Sequence, residues 1–96
     1  MGQMEFAPEI EELVEVESEL GHTETNDLIV HNDDFNTFDH VTNTLIRVCD
    51  HDVHQAEQCT YIIHYKGKCA VKHGSFKDLK PMKEAINDAG ISATIE

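Results

Sequence analysis

The chain has 96 residues, 40% of them apolar, and a formal net charge of −12 from 19 acidic and seven basic side chains. That length supports one modest core and no second domain. The charge argues against nucleic acid or an anionic membrane as partner, because either would repel it.

The acidity is concentrated at the start. Residues 1–27 carry nine acidic side chains and no lysine or arginine. With few large apolar groups, residues 1–26 are expected to be a flexible acidic arm, in which Ile10, Leu13, Val14 and Val16 make at most a short amphipathic turn. The folded core is expected over 27–96.

Leu28 to His31 reads as a short buried strand. The run Asn32-Asp33-Asp34-Phe35-Asn36-Thr37-Phe38-Asp39 follows, placing carboxylates and amides where a strand hands over to a helix. Asn36 or Thr37 can cap a helix over 38–49, with Asp39 well placed in its first turn. Val41, Leu45, Val48 and Cys49 share one face of that helix. Asp52 caps a second helix, with Gln55 at the capping-box position and Ala56, Cys59 and Ile63 on its apolar side. It ends near His64 and Tyr65, before a turn at Gly67.

Lys68 to His73 alternates as a strand closed by Gly74, with Cys69 and Val71 inward. Ser75 and Asp78 form another capping pair, Leu79, Met82, Ile86 and Ala89 give a helical face, and Gly90 ends it. Pro81 is awkward inside that helix, so its main body is expected to begin at Pro81 after a preliminary turn. Ile91, Ala93 and Ile95 alternate as a last strand. The order β-α-α-β-α-β implies an α+β fold, a small three-stranded antiparallel sheet with three helices packed on it.

Seven histidines and three cysteines raise a metal-binding alternative. His51, His54 and Cys49 are neighbours, but no pair has a zinc-motif spacing, and surface histidines with core thiols account for them as well. Asp33 and Asp34 are adjacent and diverge, and no nucleophile elbow or phosphate loop is present. Nothing in the sequence makes a case for an enzyme, and no cofactor is implied. The three cysteines form no Cys-x-x-Cys pair, and neither a signal peptide nor an apolar run of membrane-spanning length occurs, so a reducing, cytoplasmic location and no membrane partner are expected. Lys66, Lys68, Lys72, Lys77, Lys80 and Lys83 form either a solvated face or a partner-facing surface.

Binding remains. If the first two helices pack as an antiparallel pair, His64 approaches Asn32 and Asp33. An amide oxygen, a carboxylate and an imidazole around one point suit an ammonium group. A cap-and-turn role for Asn32 to Asp34, with His64 bonded to backbone, stands beside that reading.

Asn32-Asp33-Asp34-Phe35 entering a helix, His64-Tyr65-x-Gly67-Lys68 after the second helix and the terminal Ala93-Thr94-Ile95-Glu96 resemble the ClpS family over residues 28–96. ClpS proteins are adaptors that deliver substrates with a free large apolar N-terminal residue (Leu, Phe, Tyr or Trp) to a Clp-family AAA+ unfoldase. The resemblance implies that Asn32, Asp33 and His64 bind the α-amino group, with Asp34 and Asn36 as secondary contacts. It places Phe38, Val41, Thr60, Ile63 and Ile91 around the side-chain pocket. The chain differs from a common form of the motif, having Asn36-Thr37-Phe38 in place of Thr-Pro-Met and Thr60 in place of Met. An aromatic Phe38 narrows such a pocket, and Thr60 returns volume. The rival reading is an interaction module of the same fold with another peptide ligand.

Overall fold

The computed structural model describes residues 25–96. Within them β1 (Asn26–His31), α1 (Phe38–Cys49), α2 (Val53–Lys66), β2 (Lys68–Gly74), α3 (Phe76–Asp88) and β3 (Ala93–Ile95) follow in the expected order. Residues 1–24 of the expected acidic arm, with its amphipathic turn, lie outside the described residues, and Asn26, expected in the arm, belongs to β1.

The three strands form one antiparallel sheet in the order β2-β1-β3. β1 is central because Leu28 and Val30, both fully buried, point from it into the helices. It begins at Asn26, two residues before the expected start, because paired bonds at 2.9 Å between Asp27 and Glu96 extend the ladder to the end of the chain. Leu28 pairs with Lys72 but Ile29 with Ala70, so Val71 is the extra residue of a bulge. His51 occupies the space beside it, and its Nε2 donates to the Val71 carbonyl at 2.7 Å. His51 is therefore buried, not the surface histidine expected from sequence.

Local chemistry starts and stops each helix. The hydroxyls and carboxylate of Thr37, Asp52 and Ser75 accept from the backbone N–H of His40, Gln55 and Asp78, satisfying donors that a helix start leaves free. Thr37, not Asn36, is the cap of α1. Gly67, at φ 93°, closes α2 in a left-handed conformation that costs a side-chain-bearing residue more. Pro81 does not divide α3, which runs unbroken from Phe76. The proline removes one bond, to the carbonyl of Lys77, and at that exposed position water can take the vacancy.

Leu45, Cys49, Ala56, Ile63, Leu79 and Ile86 meet Leu28 and Val30 between helices and sheet. One buried polar link crosses this core. Thr42 Oγ1 donates to Thr60 Oγ1 at 2.9 Å, and Thr60 Oγ1 donates to the Ala56 carbonyl at 2.8 Å. Among the described residues no helix is long and apolar enough to cross a membrane.

Candidate functional site

The loop from Asn32 to Thr37 is folded around one carboxylate. Asp33 Oδ1 accepts from the backbone N–H of Phe35 and of Asn36, each at 2.8 Å, and Oδ2 accepts from Asn36 Nδ2 at 2.7 Å. These bonds, that from the Asn36 backbone foremost, hold the Asp33 carboxyl below its ordinary pKa against a smaller opposing effect of burial. A carboxylate has about four acceptor sites. Three are used inside the loop, which leaves one lone pair without a partner there.

Two further bonds tie this loop to the rest of the fold. Asn36 Nδ2 gives its other hydrogen to the Gly90 carbonyl at 2.9 Å, and His40 Nε2 donates to the Ala89 carbonyl at 2.8 Å. Both acceptors lie in the turn between α3 and β3. On the opposite side, the Asn32 backbone N–H donates to the Gly67 carbonyl at 2.8 Å, just past the end of α2.

The first two helices meet as the sequence suggested, the start of α1 against the end of α2. Phe38 lies with its ring centroid 5.7 Å from His64 at an interplanar angle of 26°, and 4.8 Å from Tyr61 at 59°. Tyr65 stacks on Tyr61 at 6.3 Å and 9°. His64 therefore ends α2 on the side where Asn32 is anchored.

The sequence-derived residues divide by exposure. Asn32, Asp34 and His64 are exposed, and Asp33, Asn36 and Phe38 are half-buried. Val41, Thr60, Ile63 and Ile91 are buried, with 6%, 1%, 2% and 2% of their surface accessible. They are buried in the core and do not form an open wall, and the Thr60 hydroxyl is committed to Thr42 and Ala56. An open groove of about 360 Å3 lies elsewhere, lined by Asp27, Gln55, Val71, Lys72 and His73. Its polar lining, which includes the Asp27–His73 pair at 2.6 Å, does not suit a large apolar side chain.

Sequence reasoning missed three contributors. Tyr61 stands three residues before His64 and four before Tyr65, a same-face spacing that was legible. His40 carries no local signal, because its partner Ala89 is 49 positions away. The Gly90 carbonyl is likewise supplied by a distant turn. Among the described residues no group of three or more His, Cys, Asp or Glu side chains is arranged to hold a metal ion.

Comparison with known proteins bears on this geometry. The family model described as ATP-dependent Clp protease adaptor protein ClpS matches residues 22–94. Among solved structures, that of Agrobacterium tumefaciens ClpS2 bound to L-phenylalaninamide superposes with a TM-score of 0.70 at 20% identity, covering 76% of this chain and 95% of that one. At that identity the likeness establishes the fold. No curated protein matches the sequence.

Proposed function

The chain belongs to the ClpS family of ATP-dependent Clp protease adaptors, and from that premise we propose that it binds proteins through a free, large apolar N-terminal residue and hands them to a Clp-family AAA+ unfoldase. The observation that carries the reading is the Asp33 carboxylate, held below its ordinary pKa by three donors in a loop that Asn32 anchors to Gly67, just past the end of α2. Asn32, Asp33 and His64 bind the α-ammonium group, and Asp34 and Asn36 act on the first peptide unit. Phe38, with the buried Val41, Thr60, Ile63 and Ile91, bounds the side-chain pocket. The solved relative supports this reading, since its ligand, L-phenylalaninamide, joins a free amine to an aromatic side chain.

The energetics allow it. Burying a Leu or Phe side chain contributes about 1.5–3 kcal/mol, and each hydrogen bond to a charged group about 1.5–3 kcal/mol. Near the upper ends of these ranges one side chain with two such bonds reaches the micromolar range, about 8 kcal/mol, before the cost of association. The protein acts by binding and not by catalysis. The core (27–96) holds the substrate terminus and the acidic arm (1–26) engages the unfoldase during transfer, in the cytoplasm.

Titration with otherwise identical peptides beginning with Phe, Leu, Arg or acetyl-Phe tests the proposal. Phe and Leu termini should bind, while Arg and acetyl-Phe should not, because acetylation removes the charge and adds bulk. Equal affinity for Phe and acetyl-Phe refutes it.

A further inference from the structure

The ring of Phe38 packs on two others. It comes from the first residue of α1 and meets both Tyr61 and His64, which stand one helical turn apart on α2. Tyr61 is itself backed by Tyr65, stacked nearly parallel to it, so four rings run in series from Tyr65 through Tyr61 and Phe38 to His64. Tyr61 is 49% exposed and Tyr65 82% exposed. Two tyrosines so exposed contribute little to the core, and core packing does not explain why Tyr61 meets Phe38 and Tyr65 stacks on Tyr61. An unbranched aliphatic side chain at position 38 would have several rotatable bonds and could adapt to each ligand. A phenyl ring packed against two other rings cannot.

We infer that Tyr61 is a positioning residue for selectivity: by bracing Phe38 against His64 it presents a fixed aromatic wall that favours a flat aromatic N-terminal side chain over Leu. The inference rests on the proposed function, in which Phe38 borders the side-chain pocket. A Phe, Tyr or Trp terminus can lie offset against the held ring at the 4.5–7 Å centroid spacing that aromatic pairs prefer. A Leu terminus gains burial and no ring–ring attraction. That attraction corresponds to a preference of about two- to tenfold. Because the same Phe38 ring stacks on His64, side-chain recognition and amine recognition share one rigid element.

The test measures affinities of peptides beginning with Phe, Leu and acetyl-Phe for the full chain and its Tyr61→Ala and Tyr61→Phe variants, with a thermal melt of each. The unsubstituted protein should prefer Phe over Leu. Tyr61→Ala should lower the Phe-to-Leu affinity ratio about two- to tenfold while Leu affinity stays within twofold. Tyr61→Phe, which keeps the ring, should restore the ratio. An unchanged ratio in Tyr61→Ala overturns the inference, as does a Tyr61→Phe variant that behaves like Tyr61→Ala. Both results leave the amine-binding proposal standing if acetyl-Phe is still rejected. Acceptance of acetyl-Phe by the unsubstituted protein overturns the proposed function and this inference with it.

Discussion

Replacing Asp33 with asparagine changes one atom of the site. Oδ1 can still accept from the backbone of Phe35 and Asn36. The new amide nitrogen then stands where Oδ2 stood, facing Asn36 Nδ2 at 2.7 Å, donor against donor. Turning the Asn36 amide over does not relieve this, because the same Nδ2 also serves the Gly90 carbonyl at 2.9 Å. One of the two bonds is lost in either orientation. On this partly exposed loop that costs about 0.5–1.5 kcal/mol of stability, a fall in Tm of a few degrees at about 4–8 °C per kcal/mol. The effect on ligand binding is larger, because the ammonium loses a charged acceptor. At about 1.5–3 kcal/mol the affinity for a Phe-terminated peptide should drop about 10- to 150-fold. Fluorescence anisotropy at fixed ionic strength measures the loss of binding and a thermal melt the loss of stability. The pKa of Asp33 is lowered by folding, so its stabilisation is fully present above the unfolded value of about 3.9 and fades as pH falls through the folded one. The stability gap between Asp33→Asn and the unsubstituted protein should therefore close in acid. A variant that binds within twofold of the unsubstituted protein would refute the assignment of Asp33 to the amine.

Other perturbations probe the frame around the site. Thr60→Val strands the Thr42 hydroxyl in the core and should cost about 1–3 kcal/mol by urea denaturation, whereas the double change Thr42→Val with Thr60→Val should cost less than Thr60→Val alone; equal or greater loss in the double variant would contradict the linked pair. Gly67→Ala meets no atom within 4 Å but forces alanine to φ 93°. It should lose about 1–2 kcal/mol and weaken peptide binding, since the Gly67 carbonyl anchors Asn32; a neutral result in both assays would show that this turn is not strained. Burial raises the pKa of Cys49 to about 11 and that of Cys69 to about 12. Their stabilisation is complete below the ordinary thiol value, about 8.5, and is lost as pH rises through the folded values. Unfolding free energy should fall from about pH 9 upward, less steeply in Cys69→Ser than in the unsubstituted protein, and identical alkaline limbs would argue against a buried thiol there.

Residues close along the chain made much of this molecule legible. Thr37, Asp52 and Ser75 cap helices through partners three positions away, and Gly67 and Gly90 adopt the positive φ that their place predicts. Pro81 misled because the cost of a helix-interior proline depends on whether the orphaned carbonyl reaches water, which the local sequence does not specify. His51 misled for the opposite reason. A polar ring can be buried when a bulge 20 positions away leaves a carbonyl for it.

Caps, periodicity and motif are short-range properties, so the elements, their order, the acceptor-rich loop and its resemblance to an adaptor family are all legible along the chain. Long-range packing sets how that loop is tied to the fold: Asn36 by Gly90, His40 by Ala89 and Asn32 by Gly67. It also brings Phe38 onto Tyr61 and His64. These contacts join segments separated by up to 54 positions, and such pairs meet only after burial of Leu28, Val30 and their partners has brought helices and sheet together.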